Sequence, residues 1–462
     1  MQDSTRSTQK FFYHLSAMLV LAILATPAAS AQNTFATIHK FTGTDGASPV
    51  GNLVSDSAGN LYGVTSTGGQ QNPATCSFIG SGDYCGTAFK LTRSSSGKWQ
   101  ETVIYEFQGG NDGGIPLAGL TIDASGNLYG TASVGGGEFN GVVFELSPTK
   151  SGSWTETVLY YFAGGSDGYF PTGNLVFDKL GNLYGTTSGG GTGFCGLGVP
   201  CGTVFELSPH SNGFWSENIL YNFSELSDGA EPAAGLIFDH GNLYGTTSIG
   251  GNLTGNCGYP GFGCGTVFKL SPNSTGGWSK TTLYTFTDGE DGAVPYAGLI
   301  FDAAGNLYGS AFAGGNLNGC NASGCGVVYR LSPTSSGGWT ETVIHTFQLL
   351  GTHIGQGGGV PLASLTFDSA HNLYGTASQG GARAGGAAGH GVVFKLSRTS
   401  SNSWKETVLH TFSGSDGSVP NSGLLFDSAG NLLGTAASGG ISNGGSSGCG
   451  SDGCGVVFEI KP

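Results

Sequence analysis

Charge is scarce in this 462-residue chain, and positive charge is scarcest. Only 10% of residues are Asp, Glu, Lys or Arg, with 16 basic against 30 acidic side chains and a net charge of −14. So few Lys and Arg leave no basic face for nucleic acid or anionic lipid, and neither is expected as a partner. Beyond residue 31 no apolar run is long enough to span a bilayer. The familiar catalytic signatures are missing: there is no nucleophile elbow between strand and helix, no His-Glu-x-x-His and no P-loop. The balance therefore leans away from an enzyme.

What is abundant is glycine, 87 residues, and a phrase built around it. Gly59-Asn-Leu-Tyr-Gly63 recurs at Gly126–Gly130, Gly181–Gly185, Gly241–Gly245 and Gly305–Gly309. Altered copies follow as His371-Asn-Leu-Tyr-Gly375 and Gly430-Asn-Leu-Leu-Gly434, with starts 55 to 67 residues apart. Each repeat holds four short strand-like runs separated by turn residues. In Gly173–Phe223 these are Asn174–Phe177, Leu183–Thr187, Thr203–Leu207 and Trp215–Phe223. Seven such repeats predict an all-β, seven-bladed β-propeller with four antiparallel strands per blade, strands A to D.

The two ends are complementary. Strand D carries Trp and Phe eight residues apart in six repeats, from Trp99/Phe107 to Trp404/Phe412. The last repeat stops after its strand C, and Asn33–Phe41 fits the missing strand D. The N-terminal strand is thus expected to join the C-terminal blade and close the ring.

Residues 1–31 read as a signal peptide. Arg6 and Lys10 precede the apolar run Met18–Leu24, and Ala29-Ser30-Ala31 supplies small residues at a cleavage point. The mature domain, 32–462, is expected in a secreted or periplasmic location. The ten cysteines agree. They form five local pairs, Cys76/Cys85, Cys195/Cys201, Cys257/Cys264, Cys320/Cys325 and Cys449/Cys454, and repeats 2 and 6 lack both members. Joint presence or absence reads as disulfide bonding in an exported protein. One pair offers two thiolates where a closed zinc site needs four ligands.

The Asn-Leu-Tyr-Gly-Thr run, the Gly-Gly after it, Gly-Thr-Val-Phe-x-Leu and the late Phe with Asp-Gly-x-x-Pro resemble the GloVer (Gloeobacter–Verrucomicrobia) tandem-repeat family of exported bacterial proteins. The resemblance covers nearly all of the mature chain and implies no particular activity. The Asp-x-x-Gly-Asn-Leu hairpin alone also looks like those of NHL and two-component-regulator propellers.

Strand order places the B–C loops and the D-to-A connectors on one face, the top, where the loops vary most. Candidate residues gather there. Asp45, Asp112, Asp167, Asp228, Asp291 and Asp416 precede Gly in the connectors and are possible calcium ligands, although an Asp-Gly turn explains them more simply. Otherwise no cofactor is expected. His39, His345 and His410 fill the strand D slot that holds Tyr elsewhere and read as packing variants, and the Trp series reads as packing in the core or between blades. The connector Phe347–Leu365 is longer than the others, adds Leu349, Leu350, His353 and Ile354, and has Gly357 for its Asp. The cysteine-free loop Gly380–Gly391 carries Arg383 and His390. Arg383, His353 and His390 are thus the candidate ligand-binding residues.

The functional expectation is an exported, monomeric binding protein whose ligand is a carbohydrate or another envelope or extracellular component, such as a protein. The alternatives are a propeller enzyme, a polysaccharide lyase, hydrolase or lactonase with a central-channel site, and a structural or adhesive module.

Overall fold

The structure, a computed structural model, describes residues 33–70, 76, 84–195, 201–254, 257, 261–316, 324–348, 357–381, 389–401, 403–441, 449 and 452–461. All of them belong to one compact unit, 33–462. Among the described residues, seven four-stranded antiparallel blades form a β-propeller. In blade 1 the strands are Ala47–Ser55, Leu61–Thr67, Thr87–Arg93 and Trp99–Glu106. Blade 3 adds a short strand, Tyr169–Pro171, paired with its strand B. Among the described residues helix is limited to two single 3-10 turns, and no described helix is long and apolar enough to cross a membrane.

Ring closure is as expected. Thr34–Lys40 pairs antiparallel with Val456–Lys461, from Thr34 opposite Lys461 to Lys40 opposite Val456. Its last aromatic, Phe41, is fully buried and meets Phe89 of blade 1 edge-on, 5.1 Å between centroids. The same contact recurs at every other blade interface, as in Phe107–Phe144 and Phe412–Phe458. Such pairs contribute about 0.5–1.5 kcal/mol each beyond their buried area. The tryptophans also pack between blades: Trp154 lies 5.7 Å from the ring of Tyr62 in the blade before it.

The phrase Asn-Leu-Tyr-Gly is strand B. Its final glycine faces the strand C aromatic, and a Cβ on Gly130 would come within 2.6 Å of Phe144 Cζ. The core thus requires the absent side chain. Four disulfides, Cys76–Cys85, Cys195–Cys201, Cys257–Cys264 and Cys449–Cys454, close B–C loops. Cys325 is also disulfide-bonded; its expected partner Cys320 lies outside the described residues. Loops this short give about 2–3 kcal/mol per bond by chain-entropy arguments.

Candidate functional site: blade seams and channel mouth

Each strand D contains one extra residue. Opposite strand C the register skips Ile104, Leu159, Leu220, Leu283, Ile344, Leu409 and Ile38 in the seven blades. A bulge reverses which side chains share a face. Glu101 and Tyr105, four residues apart, would otherwise point the same way. With the bulge between them, Glu101 turns to the blade before and Tyr105 to the blade after.

Every seam therefore gathers three positions: the strand D Tyr or His, the connector Asp of the same blade, and the residue two past Trp in the next blade. Tyr105, Tyr160, Tyr221 and Tyr284 donate to Asp112, Asp167, Asp228 and Asp291 at 2.7–3.0 Å. His39 and His410 stand 3.1 Å from Asp45 and Asp416. The third position is Glu101, Glu156, Glu217, Glu341 or Glu406, and the Oε1 of each is buried without a hydrogen bond. Burial, aided by the neighbouring aspartate, pushes Glu156 and Glu341 up to about 7 and Glu217 up to about 8. The seam between blades 3 and 4 solves the problem differently: Lys280 takes the Glu position and pairs with Asp228 at 2.9 Å. Between blades 5 and 6 the aspartate is lost, and burial pulls His345 down to about 4.

The connectors share a second device. Ser48, Ile115, Phe170, Glu231, Val294, Val360 and Val419 all have φ between 52° and 63°, and each directly precedes a proline. Such conformations cost about 1–3 kcal/mol outside glycine. Each is held by its N–H, which donates to the preceding blade, as Ile115 N to Cys85 O at 2.8 Å and Val419 N to His390 O at 2.9 Å. The proline then lies on the glycine that follows the second cysteine position; a Cβ on Gly202 would come within 2.6 Å of Pro232 Cδ. Val419 is 38% exposed, so its side chain returns little for the strain. Val419→Gly keeps both backbone bonds and is expected to raise stability by about 1 kcal/mol, read by urea denaturation. Destabilisation would show that the strain is not stored there.

The kink aims the next residue inward. Val50, Leu117, Thr172, Ala233, Tyr296, Leu362 and Asn421, one from each blade, line the top of the central channel. The channel cavity measures about 550 Å³, and no Asp, Glu, Lys, Arg or His is among its described lining residues. Tyr296 is 40% exposed and packs edge-on against Phe312. Asn421 Oδ1 is buried without a protein partner. Deeper in, Asn52, Asn174 and Ser364 accept the N–H groups of Gly423, Gly119 and Gly298 on neighbouring blades at 2.7–3.1 Å.

The family model of the Gloeobacter/Verrucomicrobia repeat matches residues 73–322. The chain belongs to the Gloeobacter/Verrucomicrobia repeat family. No curated protein matches it. Among solved structures it is similar to a Thermus thermophilus protein provisionally described as an oxidoreductase (glucose dehydrogenase). That likeness has 16% identity and a TM-score of 0.42, covering 79% of this chain and all of the other. It is too distant to bear on function.

Within this Gloeobacter/Verrucomicrobia repeat chain the candidate residues fall apart into separate places. Arg383 and His353 lie outside the described residues, as do Leu349, Leu350 and Ile354. His390 is half-buried at the rim, with Nδ1 3.0 Å from Ser418 Oγ, so its ring helps hold a connector. The six connector aspartates sit one per seam, each bonded to its own Tyr or His. Five of them, all but Asp228, also cap their turns, as Asp112 accepts Gln108 N at 2.8 Å and Asp291 accepts Thr287 N at 2.9 Å. Gly164-Gly-Ser-Asp-Gly168 spells Gly-x-Ser-x-Gly, but Ser166 lies in a one-turn 3-10 helix within a connector, not at a strand-to-helix elbow. The channel-mouth ring was not foreseen. Its signal was present as the residue after each repeated proline, the variable position in a constant frame.

Proposed function

We propose that this protein is an exported binding propeller that takes an uncharged, carbohydrate-type ligand at the top of its central channel. The observation that carries this is the mouth ring: seven variable residues in a rigid frame around a cavity of about 550 Å³ with no charged side chain among its described lining residues. Small-ligand sites combine apolar walls with a few placed polar groups. Here Leu117, Tyr296 and Leu362 supply the wall, and Thr172 and the amide of Asn421 supply hydroxyl-directed hydrogen bonding. An exposed tyrosine ring suits the apolar face of a sugar. Among the described lining residues there is no carboxylate or imidazole for proton transfer, which favours binding over turnover there. The disulfides support an oxidising compartment, outside the cytoplasm, in keeping with the leader expected over residues 1–31.

A panel of neutral and charged oligosaccharides tests this by thermal shift and titration calorimetry of the mature protein. A neutral glycan is expected to bind saturably. Tyr296→Ala should weaken it about tenfold with little change in melting temperature. Equal affinity in that variant, or binding confined to anionic glycans, would overturn the assignment.

A further inference from the structure

The seam between blades 7 and 1 differs from the other six. Three histidines occupy the strand D slot, but His345 has no connector aspartate and His410 faces Phe35, which stacks on it at 3.5 Å in place of a glutamate. Where aspartate and glutamate are both present elsewhere, the slot is Tyr. Among the described residues, only His39, Asp45 and Glu101 bring imidazole and two carboxylates together, with one ligand atom of each within 4.8 Å of the others. His39 Nε2 and Asp45 Oδ2 are 3.1 Å apart. Glu101 also has an oxygen, Oε1, that is shielded from water and accepts no hydrogen bond. The same unpaired oxygen recurs at Glu156, Glu217, Glu341 and Glu406, so what sets this seam apart is the imidazole and second carboxylate beside it; a cation between the three groups would draw on all of them.

We propose that His39, Asp45 and Glu101 form a binding site for a divalent transition-metal ion of the zinc class. One imidazole nitrogen and two carboxylates suit zinc or manganese, whereas calcium favours an all-oxygen shell of six or more ligands. All three side chains are half-buried, which leaves water access to the remaining coordination positions. The ligands come from three pieces of chain: His39 from the closing strand, Asp45 from the connector and Glu101 from strand D of blade 1. The ion would therefore clasp the seam where the chain ends join the ring, and its binding would be linked to folding.

The test uses the mature protein, stripped with EDTA and titrated with zinc, manganese and calcium chlorides by calorimetry and thermal shift. One equivalent of zinc or manganese is expected to bind. At a hundredfold excess over Kd the melting temperature should rise on the order of 3 °C for a domain of this size. His39→Tyr installs the side chain that four other seams use, so the fold and its hydrogen bond to Asp45 should survive while the metal-induced rise disappears. Glu101→Gln should lower metal affinity at least tenfold. His410→Tyr should leave the rise intact. No saturable rise with either transition metal, a rise that survives His39→Tyr, or stronger binding of calcium would each overturn the assignment.

Discussion

A chain without residues 33–41 is expected to lose the ring's last strand and melt far below the intact protein. The deletion removes all six residue pairs with Val456–Lys461. It also takes Phe41 from its contact with Phe89, and Phe35 from Phe412 and Phe458 at 5.8 Å each. Large core aromatics cost about 3–5 kcal/mol each when truncated, and Ile38 is lost with them. A deficit on the order of 10 kcal/mol corresponds to a fall on the order of 10 °C for a domain this large. The newly bared edge of Val456–Lys461 would favour aggregation. A synthetic peptide of residues 33–41 should recover part of the loss, as a missing strand added back. Differential scanning calorimetry of the two forms decides the matter, and an unchanged transition would mean that closure contributes little.

Much of this architecture was legible because it is periodic. Seven copies of Asn-Leu-Tyr/Leu-Gly announced seven blades, and the Trp–Phe spacing identified Asn33–Phe41 as a displaced strand D. The recurring Asp-Gly and the cysteine pairs likewise revealed a turn and a loop clamp. What escaped is geometry that spacing does not encode. Glu101 and Tyr105 lie four apart on a strand, so simple alternation puts them on one face; only the bulge at Ile104 sends them to different seams. Nor does a residue before proline advertise a left-handed backbone, least of all Val294 or Ile115. Another relation was in plain view but needed the pairing register to interpret. Where the pairing of strand B with strand C ends at Thr65, Thr187 or Thr247, the partner in strand C is Thr87, Thr203 or Thr266, and the hydroxyls bond at 2.8–2.9 Å. Where it ends in Ala132, Ala311, Ala377 or Ala436, the partner is Val. A buried hydroxyl opposite valine would lack a partner, so the two positions change together.

The seam glutamates lead to the second large effect, a stability that declines as pH rises toward neutrality. Glu156, Glu217 and Glu341 are held near 7, 8 and 7 by burial and by Asp112, Asp167 and Asp291 beside them. In the unfolded chain they ionise near their ordinary value of 4.5. Between those limits the folded state keeps protons that the unfolded state has released. The stability these groups contribute is therefore complete below about 4.5 and is lost as pH climbs through 7 to 8. The acid limb has the opposite sign. Burial raises Asp302 and Asp368, but hydrogen bonds from Asn306 and Tyr308, and from Asn372 and Tyr374, outweigh it and hold both below the usual range. Their contribution is present above the unfolded value of 3.8 and fades as pH falls through the folded one. Maximum stability should thus lie near pH 5. Because the glutamates are only partly buried, solvent screening reduces the effect well below full conversion of the shifts. A fall in melting temperature on the order of 3 °C from pH 5 to pH 8 is expected. Replacing all three by Gln keeps the shape of the protonated acid and removes the titration, so the triple variant should match the parent at pH 5 and exceed it at pH 8. Parallel curves for the two proteins between pH 5 and pH 8 would refute the assignment of this limb to the seams.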